Sequence, residues 1–536
     1  MKQVQTSVII IGGGATGAGT LRDCALRHIP AVLVEQDDIA SGTTGRNHGL
    51  LHSGARYAVK DTASAKECIS ENIIIKRIAR HCVEDTGGLF VTLPEDDQDH
   101  HAKLVEGCRR AGITCRELER DEAFAMEPNL NPSITKALLV PDATIDPFRL
   151  TASNILSAVE LGARVFTHTQ VTALILDNDQ AVGVRCVGPN AEIFEIHGTV
   201  VINASGVYGQ HVCSLAGISL PMFPSKGAMV ISDYRVNSMV VNRCRPNADG
   251  DIVVPGDTVS LIGTTSRKIP YEAISDLYVE DDEIEVLLAD GEKLIPNVSH
   301  TRILRAYCGV RPLVAASREM DGREISRGIV LVDHKRRDGL EGFITIAGGK
   351  LTTFRLMAQM ATDLACQKLG VDRPCRTHGT VLPGSEEPLP KKKMAREFSG
   401  IPQSVVGSTL YRHGQRVRRI LSAKKRNYGV VCECEMVTAG EVEYALSTLS
   451  VTDLLDLRRR TRLGMGPCQG ALCAYRAAGI MAGQNPAESG EVARMLREFM
   501  EERYKGQRPV LWGDSLREME FSYWIYEGLF GLSHVK

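Results

Sequence analysis

Short apolar runs and longer stretches of helical period alternate along the chain. Residues 7–12 form an apolar run ending in glycine, a helical stretch follows from about Ala15 to Arg27, and a second apolar run, Ala31 to Val34, closes on Glu35. That order predicts a βαβ unit at the start of the chain. Further strand-like runs fall at Arg164–Phe166, Gly198–Ala204, Leu261–Gly263, Gly328–Leu331 and Phe343–Ala347, mixed with helical stretches such as Ala65–Ile78 and Thr353–Leu369. The expected fold class is α/β. A nucleotide-binding domain in pieces at about 1–70, 145–215 and 330–380 is interrupted by an inserted domain at about 71–144 and 216–329.

The pattern changes after residue 380. Pro383, Gly384, Pro388, Pro390 and Lys391–Lys393 read as a linker, and residues 410–426 carry seven Arg or Lys. These basic residues suit a solvated helix face, with contact to an anionic surface or partner as the alternative. The linker and basic segment span 381–427, a cysteine-bearing domain 428–485, and a helical tail 486–536. The tail holds a charged helix around Glu491–Lys505 and ends in Tyr523, Trp524, Tyr526 and Phe530, which suit either a docking surface or packing onto the chain's own core.

Composition narrows the function classes. Apolar residues make up 43% and charged residues 24%, and the net charge of −2 gives no basis for a nucleic-acid partner. No apolar run approaches the roughly 20 residues that cross a bilayer. The N-terminal run meets glycines rather than a cleavage site, so an intracellular protein is expected.

Gly12-Gly13-Gly14-Ala15-Thr16-Gly17 joins the first strand to the first helix. In that setting Gly12 makes a tight turn, Gly14 admits a pyrophosphate to the positive end of the helix, and Gly17 allows close helix–strand packing. Glu35, 23 residues after Gly12, ends the next strand, where a carboxylate accepts ribose hydroxyls. Strand, helix and acid together predict a dinucleotide. Ser41–Gly54, Asn203–Gly206 and Ala347–Thr353 are rich in glycine and small polar residues, and several such loops converging on one extended ligand favour FAD. His48 and His52 stand four apart, but the glycines around them argue against a helix and a metal pair.

Asn47-His-Gly-Leu-Leu-His-Ser-Gly-Ala-Arg-Tyr57, Ile262-Gly-Thr-Thr265, Gly309-Val-Arg-Pro312 and Gly348-Gly-Lys-Leu-Thr-Thr353 follow the nucleotide motif in order. Over roughly residues 1–385 they resemble the FAD-dependent glycerol-3-phosphate dehydrogenase family. The resemblance implies an FAD-binding Rossmann-like domain of the D-amino-acid oxidase and glutathione reductase type, with an inserted antiparallel-sheet substrate domain. It implies oxidation of sn-glycerol 3-phosphate to dihydroxyacetone phosphate by hydride transfer to FAD. Cofactor contacts are then expected at Gly12, Gly14, Gly17, Glu35, Thr44, Asn47, Gly49, Leu50, Val171, Ala204, Gly206, Gly349, Lys350, Leu351 and Thr352. Substrate contacts are expected at Arg56, Tyr57, Arg311, Arg327 and Lys350, because a phosphate dianion needs cations and guanidinium groups fit it bidentately. The family often has a histidine after Lys-Gly-x, where this chain has Lys226-Gly227-Ala228-Met229. That departure leaves the general base open among Lys350, Arg311 and His52.

Eleven of the fifteen cysteines are scattered singly from Cys24 to Cys375 and read as small buried hydrophobes. Cys432, Cys434, Cys468 and Cys473 fall within 42 residues. Four thiolates suit zinc or a [2Fe–2S] centre. The one-residue gap of Cys432-x-Cys434 is awkward for a zinc knuckle, and the glycines around Cys468 offer amides to cluster sulfurs. The cysteines with Thr461-Arg-x-Gly-Met-Gly-Pro-Cys-Gln-Gly resemble the bacterioferritin-associated ferredoxin-like [2Fe–2S] domain. Combined with the upstream motifs, they make the chain similar to the large catalytic subunit in the family's anaerobic branch. This implies electrons passing one at a time from flavin through the cluster to other subunits of a membrane-associated complex, and indirectly to quinone. It also implies a peripheral place on the cytoplasmic face of the inner membrane. Two other readings remain: a flavin dehydrogenase or oxidase of the same fold acting on a 2-hydroxy acid or amino acid, and an electron-transfer module without a substrate of its own.

Overall fold

The computed structural model describes residues 2–314, 328–387, 389–422, 425–484 and 489–535. Strand β1 (Val8–Ile11) is wholly buried and leads into helix α1 (Ala15–Leu26) and strand β2 (Ala31–Val34). The chain leaves through α2 (Thr62–Ile78) to build β3 (Gly88–Thr92) and β4 (Lys136–Val140) of a second sheet. It returns through α3 (Pro147–Glu160), β5 (Arg164–Phe166) and β6 (Val200–Asn203). A second excursion forms β7 (Met222–Ser232), β8 (Val240–Arg243), β9 (Ile252–Pro255), β10 (Ser260–Gly263) and β11 (Ile303–Val314). The last return is β12 (Ile329–Asp333), β13 (Phe343–Gly348) and α4 (Phe354–Leu369).

The first sheet runs β5-β2-β1-β6-β13-β12, parallel except for the edge strand β12. Its central strands are continuous apolar runs, as a sheet covered on both faces requires. Helix α1 presents Ala15, Gly17, Ala18 and Gly19 to its surroundings, and this slim face packs between α3 and α4. The second sheet has nine strands. It is antiparallel, as expected of the insert, except for one parallel pair, β8 beside β3. The pairing of β3 with a strand from the second excursion explains this, since the two excursions share one sheet.

The expected linker is not an extended spacer. Leu382 and Met394 are fully buried, and α5 (Lys391–Glu397) packs on α6 (Gln403–His413). The basic segment is divided: Arg419 is exposed, as a solvated face requires, while three arginines are paired within the chain. Arg412 is buried against Glu441 at 2.7 and 2.9 Å, Arg416 pairs with Glu160 at 2.8 Å, and Arg418 with Glu397 at 3.0 Å. These carboxylates are distant in sequence, which hides the pairing from a linear reading. Pro388 and Lys424 lie outside the described residues.

The C-terminal unit starts with a hairpin of Val430–Cys432 and Val437–Thr438 and continues through α7 (Ala439–Thr448), α8 (Leu454–Thr461), α9 (Ala474–Gln484), α10 (Ser489–Gln507) and α11 (Gly513–Tyr523). Thr438 and Glu441 form a capping box that fixes the start of α7 beside the cysteines. The aromatic end is divided: Tyr526 is fully buried in the core of this unit with Leu457, Phe499 and Met500, while Trp524 is 61% exposed. Among the described residues no helix is long and apolar enough to cross a membrane.

Candidate active site

A cleft of about 1140 Å³ runs between the two sheets and under the C-terminal unit. At one end the β1–α1 turn opens it. Gly12 has φ +112°, and a Cβ there would lie 2.7 Å from the Ala204 carbonyl oxygen, so only glycine serves. The Glu35 carboxylate accepts from the Gly13 amide at 2.5 Å and from the Asp37 amide at 2.9 Å. Burial pushes this carboxyl above its ordinary range, with the two amides opposing. Thr44 Oγ1 accepts from the Ala15 amide at 3.0 Å, over the positive end of α1.

The loop from Ser41 to Gly54 forms the floor. Asn47 Nδ2 donates to Thr44 O at 2.6 Å, its Oδ1 accepts from the Gly49 amide at 2.8 Å, and Tyr307 Oη donates to Asn47 O at 2.9 Å. The His52 amide donates to Thr352 Oγ1 at 3.1 Å, which ties the floor to the turn after β13. A glycine turn, a carboxylate beyond the second strand and a helix N-terminus on one elongated cleft are the features an adenine dinucleotide requires, and FAD fits them.

Charge gathers at the other end. Arg311 Nη2 donates to Thr264 Oγ1 at 2.6 Å and to Thr265 O at 2.9 Å, and its Nη1 to Lys226 O at 3.2 Å. Its guanidinium lies across Gly227, where a Cβ would sit 2.6 Å from Nη2. Lys350 Nζ is 4.6 Å from the centre of the Tyr57 ring, and the His52 ring is 5.5 Å from the same ring. Lys226 is turned away and locked to the buried Glu283 at 2.8 Å.

Most expected positions line this cleft: Gly12, Gly14, Glu35, Thr44, Asn47, Gly49, Leu50, His52, Tyr57, Ala204, Gly206, Arg311, Gly349, Lys350 and Leu351. Four are placed otherwise. Arg56 pairs with the buried Asp251 at 2.9 Å in the second sheet's domain, sharing that carboxylate with Arg245 at 2.8 Å. Val171 belongs to the apolar core beneath Phe194 and Ile196. Gly17 faces the Gly12 carbonyl, and Thr352 is buried under His52. Arg327 lies outside the described residues.

The four C-terminal cysteines converge between the hairpin and the loop ahead of α9. Hydrogen bonds among their thiols push Cys468 and Cys432 down and Cys473 and Cys434 up, the signature of sulfurs sharing protons at close range. Backbone amides of Gly464 and Glu435 donate to Cys432, and those of Leu472 and Gly470 to Cys468. An all-thiol donor set wrapped in amides fits an iron–sulfur cluster.

The sequence reading missed the seam that docks this unit on the cleft. Arg460 grips Asp38 at 2.5 and 2.8 Å, and Arg459 reaches the same carboxylate at 2.9 Å. Arg462 meets Asp257 at 2.7 Å, Glu435 at 2.9 Å and Asp146 at 3.1 Å, and His168 meets Asp456 at 3.1 Å. Four arginines in five residues beside Cys468 were the available signal, more cations than one helix face needs.

A dinucleotide cleft capped by a four-thiol unit defines a cofactor-dependent oxidoreductase. The model of the FAD dependent oxidoreductase family matches residues 7–355, and that of the BFD-like [2Fe-2S] binding domain residues 430–483. Among the anaerobic glycerol-3-phosphate dehydrogenase A subunits, that of Escherichia coli strain K12 is 55% identical over 528 residues, covering 98% of this chain and 97% of its own. The A1 form of Haloferax volcanii is 42% identical, covering 97% and 90%. The glycerol-3-phosphate dehydrogenase of Bacillus halodurans, solved with FAD, shares the fold with a TM-score of 0.73 over 95% of this chain and 96% of that one, at 22% identity. The chain belongs to the FAD-dependent oxidoreductases, in the branch of the anaerobic glycerol-3-phosphate dehydrogenase A subunits.

Proposed function

We propose that this chain oxidises sn-glycerol 3-phosphate at C2 to dihydroxyacetone phosphate. Its electrons leave through the cluster at Cys432, Cys434, Cys468 and Cys473. They pass to other subunits of a membrane-associated complex at the cytoplasmic face of the inner membrane, and beyond them to quinone. The observation that carries the substrate reading is the convergence of Arg311, Lys350, His52 and Tyr57 at the end of the cleft opposite Glu35.

FAD, when bound, supplies the hydride acceptor, and the [2Fe–2S] cluster a one-electron acceptor. The remaining work falls to the chain's own residues. Arg311, steadied by Thr264 and Thr265, offers a fork that matches a phosphate, and Lys350 adds a second cation above Tyr57. A guanidinium does not give up its proton and an ammonium has no lone pair, so neither accepts the C2 hydroxyl proton. A neutral imidazole does, and His52 takes that role.

The test is anaerobic addition of glycerol 3-phosphate to the purified protein. Prompt bleaching of the flavin bands followed by the signal of a reduced cluster supports the reading. Bleaching only by a 2-hydroxy acid or an amino acid overturns the substrate and leaves the fold standing. Arg311→Met should raise KM far more than it lowers kcat, and His52→Gln should lower kcat and alter the pH profile.

A further inference from the structure

Arg503 is a buried cation with an unusual set of neighbours. It lies on α10, only 5% exposed. Its Nη2 donates to the Cys468 carbonyl at 3.0 Å and its Nη1 to Ser522 Oγ at 3.2 Å. Its Nε is buried without a hydrogen-bond partner among the described residues. The strongest electrostatic influences on it, after burial itself, come from Tyr504, Cys468 and Tyr526, with Arg305 opposing. None of these favourable neighbours is a carboxylate.

Two more guanidiniums extend this positive seam toward the flavin cleft. Arg305, 6% exposed, packs against Gly506, three residues along α10 from Arg503. Arg458 lies near it, and both line the cleft. Each has a buried Nε without a partner among the described residues, but both are attracted by the Glu502 carboxylate, which leaves Arg503 as the cation whose favourable neighbours include no carboxylate. Burying a cation away from carboxylates is strongly unfavourable unless another anion answers it. Four thiolates around a two-iron, two-sulfide core carry net negative charge in both oxidation states, and one-electron reduction increases it.

We infer that Arg503 is the built-in counter-charge of the four-cysteine site and raises its reduction potential, so that an electron arriving from the flavin is held there. The inference rests on the four cysteines holding an iron–sulfur cluster. Arg503 does not touch the sulfurs' ligand positions. It acts through the Cys468 backbone and through space, as a residue that sets the potential rather than one that performs chemistry.

The experiment is a redox titration of the full-length, cluster-loaded protein followed by the reduced cluster's EPR signal, with iron and sulfide assayed in each preparation. Arg503→Met removes the charge. Ser522→Asp keeps the guanidinium but places a carboxylate against it. Both should lower the potential, so that at the wild-type midpoint the ratio of reduced to oxidised cluster falls about tenfold or more. Arg503→Lys should stay near wild type. Wild-type potentials in Arg503→Met and Ser522→Asp overturn the inference, as does Arg503→Lys falling to the Arg503→Met value. If Arg503→Met loads no cluster, Ser522→Asp and Arg503→Lys decide the matter by the same criteria. A wild-type protein with four ordered cysteines but no iron or sulfide overturns the cluster reading instead, and is told apart by its metal content.

Discussion

Removing Arg460 should undock the C-terminal unit from the flavin cleft. Both members of the Arg460–Asp38 pair are 1% exposed, and the guanidinium makes two charge-assisted bonds to the carboxylate plus one to Leu449 O at 3.0 Å. Bonds of this kind contribute about 1.5–3 kcal/mol each, and breaking a buried pair costs about 3–5 kcal/mol. Asp38 retains Arg459 at 2.9 Å, which favours the lower end. A loss of about 3 kcal/mol lowers the docked-to-undocked ratio roughly 150-fold. In Arg460→Met, bleaching of the flavin by substrate should proceed as before while reduction of the cluster slows. Rapid mixing without oxygen, followed at flavin and cluster wavelengths, separates the two steps, and limited proteolysis should begin to cut near residues 381–400. If cluster reduction keeps its rate and the cleavage pattern is unchanged, the seam does not hold the unit in place.

Three further outcomes follow from the geometry. Arg412→Ala leaves the fully buried Glu441 with only His413 among its charged partners and should destabilise the C-terminal unit by about 3 kcal/mol, a fall of roughly 13 °C in its thermal transition. Gly227→Ala drives a methyl to 2.6 Å from Arg311 Nη2 and should raise KM for glycerol 3-phosphate severalfold at unchanged flavin content, measured by dye reduction. The hydrogen bond that His168 Nε2 donates to the Asp456 carboxylate raises the pKa of His168, which also faces Asp453, Asp38 and Thr452. Its contribution to docking is therefore complete below about pH 6.5 and lost as pH climbs through the raised value. Proteolysis across that range should show cutting increase with pH, and His168→Gln should flatten the response.

The parts of the fold legible in the sequence are those that local patterns specify. β1, α1 and β2 announce themselves because the glycines, the apolar runs and Glu35 act within 35 residues of one another. The four cysteines were legible because their chemistry has few uses. Arg56 was not, since its partner Asp251 is 195 residues away and nothing beside Arg56 points to it. The burial of Arg412 was hidden for the same reason: Arg412 and Glu441 carry no mark of their pairing until the hairpin brings them together. The segment around Pro390 reads as a spacer by composition, yet Leu382 and Met394 bury it. The docking arginines of α8 fell between two motifs, the cysteines and the nucleotide turn, each read without the other.

The order in which strands enter the first sheet also bears on how the chain is made. β6 sits between β1 and β13, but β13 begins about 140 residues after β6 ends. At a synthesis rate of about 5–20 residues per second, the flank of β6 waits roughly 7–28 s for its neighbour to leave the ribosome. Throughout that interval Val200–Asn203 presents an apolar, unpaired strand edge, the kind of surface that attracts other nascent chains. Lower growth temperatures lengthen the wait, so the yield of folded protein should depend on chaperones that shield this edge until Phe343 arrives.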